Sequence, residues 1–203
     1  MGFYQRQLQP RLLDVTLRSR TTGAIRARVC AGLRGDIVEI GYGSGLNQPH
    51  LPPQVSSVSA LEPSPVALWL AARRRAGSTV PVVVIGEDAQ RIPCPDDHFD
   101  AALSTWTLCG IPDPVAALRE VRRVLRPGGV LHFVEHGRAP DVAVLQRQRR
   151  GNALNQRLAG CVLDRDIPAL LTASGLEVLT LRTYYEQNAP KAAGFFYEGR
   201  AAA

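Results

Sequence analysis

The chain has 203 residues, 45% of them hydrophobic, and a net charge of +6, which suits one domain with a single sizeable core. It has no run of roughly eighteen apolar residues and no signal-peptide pattern, so we expect no membrane span, no secretion and a cytoplasmic location. The excess positive charge is almost entirely arginine at the ends of predicted helices, where cations complement the helix dipole. This pattern favours solvated helix ends over a phosphate-binding patch, and we expect no nucleic-acid partner.

The first thirty residues predict one or two amphipathic helices, in which Leu8, Leu12 and other apolar residues are mixed with arginines. We expect these helices to cover a sheet. From Asp36 onward, short apolar strands alternate with helices, which is the pattern of βαβ units and a mainly parallel sheet. The predicted strands are 37–40, 55–61, 80–85, 99–105, 130–135, 176–183 and 194–197.

Three helices between these strands have recognisable ends. A capping side chain followed by proline begins two of them, at Ser64-Pro65 and Asp113-Pro114, because proline is tolerated where the backbone N–H has no helical partner. We expect the second of these helices to end at Pro127-Gly128-Gly129. A third helix is predicted between Asp166 and Gly175.

The strongest local signal is a strand that leads directly into three alternating glycines, Glu39-Ile40-Gly41-Tyr42-Gly43-Ser44-Gly45-Leu46-Asn47. Glycine lets the backbone turn tightly and approach a ligand that a Cβ atom would exclude. A dinucleotide site prefers a third glycine at the position of Leu46, so the motif disfavours a dehydrogenase. The acidic Glu39 suits a cofactor with an amino group and a sulfonium and would repel a pyrophosphate.

Two more acids follow the next two strands. Glu62 is placed to accept hydrogen bonds from a ribose, and Asp88 is placed to accept one from an adenine amino group. Either acid alone is most simply a surface carboxylate. Together with Glu39 they lie at the carboxyl ends of successive strands, where α/β sheets bind ligands, so they predict a nucleoside site.

The four cysteines are Cys30, Cys94, Cys109 and Cys161. They are widely spaced, with neither the close pairs of a metal site nor the density of a disulfide scaffold. We therefore expect reduced thiols and no metal ion.

Several segments of the chain occur in the order that is typical of a known family. Glu39 to Gly45, Leu61-Glu62-Pro63, Glu87-Asp88-Ala89 and Leu125 to Gly129 resemble the successive motifs of class I S-adenosylmethionine-dependent methyltransferases. The resemblance extends over roughly residues 30–136. It implies a Rossmann-like α/β sheet of seven strands in the order 3-2-1-4-5-7-6, with the last strand antiparallel and helices on both faces.

The resemblance also implies a domain organisation and a set of site residues. One domain over 1–203 would contain an N-terminal helical cover (1–34), a cofactor-binding core (35–136) and a substrate-side part (137–203). The cofactor implied is S-adenosylmethionine. The residues expected to bind it are Glu39, Gly41, Tyr42, Gly43, Gly45, Asn47, Glu62, Pro63, Asp88, Ala89, Thr105 and Leu108.

The acceptor side is less closely defined. His136 is the candidate general base, with Glu135 as its orienting partner, although a histidine here could equally pack or cap a loop. Trp106 and Cys109 are expected to line the acceptor pocket, with Cys109 as a small hydrophobe and not a nucleophile. Tyr4 is expected to close over the site if the first helix forms a lid, a plain core contact being the alternative.

Thr107-Leu108-Cys109, Glu135-His136 and the tail around Gly160-Cys161 with Asp164-Arg165 resemble the subgroup that contains the alkyl-thiol methyltransferases and their small bacterial relatives. It implies a small-molecule acceptor, and a thiol is our first hypothesis. C- or O-methylation of a quinone or phenol is the second, and a non-catalytic protein that binds the cofactor or a partner is the third. Val162 departs from the polar residue that often follows the tail cysteine, Cys161, in this subgroup, so the acceptor pocket is expected to differ. A homodimer is also an open alternative.

Overall fold

Helices and strands alternate along the chain as the sequence predicts. The computed structural model describes residues 4–203, apart from the side chains of residues 5 and 6. Within that range a π-helical turn (Tyr4–Leu8) precedes the first α-helix, and a 3-10 turn (Gln48–His50) follows the first strand. The α-helices are α1 (Gln9–Thr16), α2 (Arg20–Cys30), α3 (Pro65–Ala76), α4 (Pro114–Val124), α5 (Val142–Ala159) and α6 (Ile167–Ser174).

The strands form one sheet in the order β3-β2-β1-β4-β5-β7-β6. They are β1 (Gly35–Ile40), β2 (Val55–Leu61), β3 (Val82–Gly86), β4 (Phe99–Thr105), β5 (Leu125–His136), β6 (Glu177–Tyr185) and β7 (Phe195–Ala202). β7 is antiparallel to both of its neighbours, and the pairings among β1 to β5 are parallel. The predicted sheet order is confirmed. The order reverses between β1 and β4, which creates a crevice at their carboxyl ends.

Two hydrophobic clusters anchor the sheet. One joins α4 and α6 to it through side chains that include Leu118, Val121 and Leu171. The other joins α2 to it through Ile25 and Val29 together with neighbouring residues. Because helices cover both clusters, the last four residues of β1 and all but one residue of β4 are buried, as expected for central strands of a parallel sheet.

The N-terminal helices have two different roles. α2 packs on the sheet, which agrees with the predicted cover. α1 packs instead against α3 and α5, above the carboxyl edge of the sheet. No helix among residues 4–203 is long and apolar enough to cross a membrane.

The boundary between α4 and β5 differs from the prediction. α4 ends at Val124, and Leu125 is already extended, buried and paired with Phe99 of β4. The Pro127-Gly128-Gly129 segment therefore lies within β5 and does not end the helix. Leu125 leaves the helical conformation early because its side chain is buried in the core beside β4, and this tertiary contact outweighs its helix propensity.

Two further elements were missed or shortened by the sequence prediction. α5 was not predicted because glutamine, arginine and asparagine interrupt its apolar pattern, although Asp141 caps its start and Gly160, at φ +76°, ends it. β7 extends to Ala202, beyond the predicted 194–197, because it is paired on both sides by β5 and β6. That pairing outweighs the weak strand propensity of its glycine and alanine residues.

Candidate functional site

A cavity of about 1070 Å³ lies at the carboxyl edge of the sheet, beneath α1. Residues that follow four of the parallel strands, together with the last residue of β5, meet around it. α1, α2, α3 and α5 supply further parts of its wall. The predicted site residues that line this cavity are Gly41, Tyr42, Gly43, Glu62, Pro63, Asp88, Ala89, Thr105, Trp106 and His136.

The other predicted site residues lie behind or beside the cavity wall. Glu39, Asn47, Leu108 and Cys109 are almost completely buried. Gly45 is packed against the Tyr42 side chain and α3, where an added Cβ would come within 2.8 Å of the Tyr42 hydroxyl oxygen. The Tyr4 hydroxyl donates a hydrogen bond to the backbone carbonyl of Leu158 on α5. Tyr4 therefore ties the N-terminal turn to α5.

The glycine turn after β1 forms the floor of the cavity. Gly41, Gly43 and Gly45 have φ values of +66°, +57° and +74°, a region that side chains with a Cβ rarely adopt. A Cβ at Gly41 would collide with the Thr107 side chain. A Cβ at Gly43 would have as its nearest neighbour the Gly41 carbonyl oxygen at 3.9 Å, so it would project into open space. A side chain at position 43 would therefore enter the cavity.

Glu62 holds the glycine turn and the start of α3 together. Its Oε2 accepts a hydrogen bond from the Gly43 N–H at 2.7 Å, and its Oε1 accepts one from the Ser64 N–H at 2.8 Å. Burial raises the pKa of Glu62, while these two bonds act in the opposite direction. Each carboxylate oxygen still has lone-pair capacity for a further donor, so the group can accept bonds from vicinal hydroxyls.

Asp88 is exposed at the rim of the cavity. Its Oδ1 accepts hydrogen bonds from the backbone N–H and the side-chain amide of Gln90, and these bonds lower the pKa of Asp88. The carboxylate is therefore ionised at neutral pH and can accept a bond from an amino group. Ala89 lies beside it and is buried.

A buried polar network backs the cavity where β1 and β4 end. The Asn47 amide donates to Glu39 Oε1 at 2.8 Å and to Thr105 Oγ1 at 3.0 Å. Arg26 Nη1 donates to Asn47 Oδ1 at 2.7 Å and to Thr105 Oγ1 at 2.9 Å. Burial raises the pKa of Glu39 to about 8. Within the described part of the chain, Glu39 Oε2 has no hydrogen-bond partner.

Arg26 is the main feature of this site that the sequence prediction missed. It lies on α2, is 5% exposed and lines the cavity next to Thr105. Burial lowers its pKa to about 10, so it carries a positive charge at neutral pH. A signal was available, because Arg26 shares the apolar face of α2 with Val29 and Cys30. A charged residue on such a face needs a partner.

Trp106 follows β4 in an unusual backbone conformation, with φ +52°. Arg26 lies over its ring at 4.8 Å from the centroid, and Phe196 of β7 packs edge-on against it at 5.6 Å. A non-glycine residue in this region stores strain of about 1–3 kcal/mol, which persists only where the surroundings hold it. The ring is therefore a fixed part of the cavity wall.

Glu135 does not orient His136, and the sequence-based pairing of these two residues is wrong. The fully buried Glu135 carboxylate accepts bonds from the Ser104 hydroxyl at 2.6 Å and from the backbone N–H groups of Thr107 and Leu108 at 3.1 and 3.0 Å. Because side chains alternate along a strand, consecutive residues of β5 project to opposite sides. Glu135 therefore shapes the loop after β4.

His136 lines the cavity, and its ring packs edge-on against Phe196 at 5.1 Å. Burial lowers its pKa to about 4, partly offset by a hydrogen bond to the backbone carbonyl of Ala193. The imidazole is therefore neutral at neutral pH. Taking a proton from a free thiol, whose ordinary pKa is about 8.5, would be uphill by about 6 kcal/mol.

Cys109 and Cys161 lie beside His136. The two Sγ atoms are 3.0 Å apart, and Cys109 Sγ is 3.6 Å from His136 Nδ1. Cys161 lines the cavity, whereas Cys109 lies behind it. The four cysteines are free thiols, as predicted. The loop after β4 and the turn after α5 are also joined here, because the Val162 N–H donates to the Cys109 carbonyl.

Comparisons with known proteins agree with this architecture. A family model described as a methyltransferase domain matches residues 38–133. A solved structure of a SAM-dependent methyltransferase from Leishmania major has a TM-score of 0.71 to the chain at 17% identity. The superposition covers 98% of this chain and 79% of that one. At this identity the likeness concerns the fold.

Two curated relatives match shorter segments. Human thiol S-methyltransferase TMT1B is 38% identical over 109 residues, which are 51% of this chain and 43% of that protein. The ubiquinone/menaquinone biosynthesis C-methyltransferase UbiE of Caulobacter vibrioides is 47% identical over 51 residues, which are 25% of this chain and 20% of that protein. The chain spans half or less of the length of the curated relatives it matches.

Proposed function

The chain belongs to the class I S-adenosylmethionine-dependent methyltransferases, and we propose that it transfers the methyl group to the sulfur of a small-molecule thiol. The observation that carries methyl transfer is the lining of the cavity, and the likeness to a thiol S-methyltransferase supports a thiol as the acceptor. One end has polar groups suited to a nucleoside, and the other end is walled by Trp106, His136, Cys161 and Leu163. Both ends belong to one continuous space, as a direct transfer between two bound molecules requires.

The residues at the polar end fit S-adenosylmethionine. Gly43 leaves space for the ligand, and the Glu62 carboxylate would accept bonds from the two ribose hydroxyls. Asp88 would accept a bond from the adenine amino group. Arg26, buried and charged, would bind the carboxylate of the amino-acid part. The bound cofactor supplies an activated sulfonium methyl group.

The opposite end of the cavity suits a soft, desolvated nucleophile. When a thiolate attacks a sulfonium carbon, both charges disappear, so a site of low dielectric favours the reaction. Trp106 is held rigidly by Arg26 and Phe196, so it can fix the acceptor without rearrangement. The acceptor's proton leaves before the acceptor is enclosed, because the nearby imidazole is too weak a base to remove it.

His136 has a different role from the one predicted from sequence. It lines the acceptor end and is neutral at neutral pH. We assign it to positioning of the acceptor sulfur and not to removal of its proton. The test is a pH profile, because a positioning role predicts a deficit in the His136→Ala variant that does not change with pH.

The likeness to the thiol S-methyltransferase supports a thiol acceptor, and it covers 51% of the chain. The shorter likeness to a quinone C-methyltransferase supports a rival acceptor of the quinone or phenol class. The cavity of about 1070 Å³ has room for either acceptor. Acceptor chemistry must therefore be tested directly.

The deciding experiment uses S-adenosylmethionine labelled in its methyl group and pairs of acceptors that differ in one atom. Each aryl or alkyl thiol is matched with the corresponding alcohol or phenol, and a demethylated quinol is included. We expect transfer to the thiols at least about 100-fold faster than to their oxygen analogues, because sulfur is the softer nucleophile and its anion forms more readily. The Glu62→Gln variant serves as the control for cofactor-dependent turnover.

Preferential methylation of the phenols or the quinol would replace the thiol proposal with its rival. Tight binding of S-adenosylmethionine with no transfer to any acceptor class would favour a non-catalytic, cofactor-binding protein. Transfer that is equal for thiols and their oxygen analogues would also contradict a site selective for sulfur.

A further inference from the structure

Three potential metal ligands meet at the acceptor end of the cavity. The Sγ atoms of Cys109 and Cys161 and a ring nitrogen of His136 all lie within 4.8 Å of one another. They come from the loop after β4, the turn after α5 and the end of β5, which are distant in sequence. This arrangement explains why the spacing of the cysteines along the chain did not suggest a metal site.

We propose that Cys109, Cys161 and His136 bind a soft divalent cation, Zn²⁺, with one coordination position open to the cavity. Two thiolates and one imidazole are a donor set that zinc prefers, and three protein ligands with one exchangeable position are typical of catalytic zinc. This replaces the sequence-based expectation of no metal.

The separation of Cys109 Sγ and His136 Nδ1 matches that of a tetrahedral zinc site, and the separation of the two sulfurs is shorter. With Zn–S of about 2.3 Å and Zn–N of about 2.05 Å, tetrahedral angles place sulfur and nitrogen about 3.6 Å apart and two sulfurs about 3.8 Å apart. Cys109 Sγ is 3.6 Å from His136 Nδ1. The two sulfurs are 3.0 Å apart, so they must separate by about 0.8 Å. Cys161 is half-buried in the turn after α5, and binding requires a movement of its side chain.

The hydrogen bonds within the cluster also suit metal binding. The Cys109 thiol donates a hydrogen bond to Cys161 Sγ, so a cation would displace the proton between the two sulfurs. The His136 ring is oriented by the backbone carbonyl of Ala193, a contact that metal-binding histidines commonly make through their other nitrogen.

The cluster lies where a cation could enter from the cavity and contact an acceptor. His136 and Cys161 line the cavity, so an ion can enter from it and an acceptor atom can reach the open position. There the cation would bind and orient an acceptor sulfur that arrives as its thiolate. This use rests on the proposed thiol transfer, whereas the binding of Zn²⁺ does not.

The test measures Zn²⁺ binding to the reduced full-length chain in the absence of S-adenosylmethionine and acceptor. Competition with a chromophoric chelator gives the affinity and stoichiometry, and Co²⁺ substitution reports thiolate ligands through a sulfur-to-metal charge-transfer band. We expect one Zn²⁺ per chain. Cys161→Ser should weaken binding at least about 100-fold and reduce the charge-transfer band, and His136→Gln should weaken binding while keeping that band.

Cys94→Ser is the matched control, since Cys94 is half-buried like Cys161 and lies outside the cluster. It should bind Zn²⁺ as the unmodified chain does. Cys109 is fully buried, and its replacement by serine can prevent folding. In that case the Cys161→Ser and His136→Gln variants test the zinc proposal. The proposal is wrong if the unmodified chain binds less than about 0.1 equivalent, if Cys161→Ser binds equally well, or if the two cysteines form a disulfide that persists in excess reductant. Failure of thiol methylation with Zn²⁺ bound would contradict only the proposed acceptor.

Discussion

The Glu62→Gln variant tests the cofactor site through a change of one atom. In the folded chain each Glu62 oxygen accepts one backbone hydrogen bond, from Gly43 or from Ser64. Glutamine keeps one oxygen, and its amide nitrogen faces the other backbone N–H. An unmatched buried donor costs about 1–3 kcal/mol of stability, although relief of the buried charge offsets part of this loss.

The expected effect on cofactor binding is larger. A hydrogen bond to a charged group contributes about 1.5–3 kcal/mol, and the variant loses one such bond to ribose and weakens the other. A loss of about 2–4 kcal/mol corresponds to about 30- to 1000-fold weaker binding. Isothermal titration with S-adenosylhomocysteine, well below the melting temperature, measures this change.

The matched control is Glu177→Gln, an exposed carboxylate at the start of β6, for which we expect unchanged affinity. A Glu62→Gln variant that is folded by circular dichroism and binds within about threefold of the unmodified chain would refute the assignment of Glu62 to the ribose. Weaker binding accompanied by loss of the folded signal would have to be resolved with Glu62→Asp, which keeps the charge.

Three further variants probe the same site. Gly43→Val should abolish titratable binding of S-adenosylhomocysteine, because the valine side chain would project into the cavity at φ +57°. Gly151→Ala in α5, with open space around it, is the control and should bind normally. Residual affinity in Gly43→Val would show that the ligand does not lie next to Gly43. Arg26→Gln should bind S-adenosylhomocysteine at least about tenfold more weakly, whereas its affinity for 5′-methylthioadenosine, which lacks the carboxylate, should change much less. An equal loss of affinity for both ligands would rule out a contact between Arg26 and the carboxylate. Burial raises the pKa of Glu39 from 4.5 to about 8, so the chain takes up a proton when it folds at a pH between these two values. The free energy of unfolding therefore falls as the pH rises through this range, by at most about 1.4 kcal/mol per pH unit. Urea titrations from pH 5 to 8 should show a smaller fall in Glu39→Gln, and parallel curves would contradict a buried, perturbed Glu39.

Much of the cofactor end was predictable because its signals are local. Three glycines at positive φ after a buried strand can be recognised from consecutive residues, as can acids that follow the next two strands. The alternation of strands and helices predicted a mainly parallel sheet, and the family resemblance implied the strand order. Parallel strands then place Glu62 and Asp88 at the same edge of the sheet as Gly43, and all three residues line the cavity.

The acceptor end was decided by contacts between distant segments. Local sequence placed Glu135 next to His136, yet the alternation along β5 sends Glu135 to the loop after β4 and leaves His136 facing the cavity. Arg26 joins the cavity from a helix 79 residues before Thr105, with which it forms a hydrogen bond. Cys109 and Cys161 are 52 residues apart and have touching sulfur atoms. The sequence by itself predicted the strands and the glycine turn, because their signals lie in consecutive residues. Only the tertiary structure brought together the groups of the acceptor end, because their proximity depends on how α2, α5 and β5 pack around the edge of the sheet.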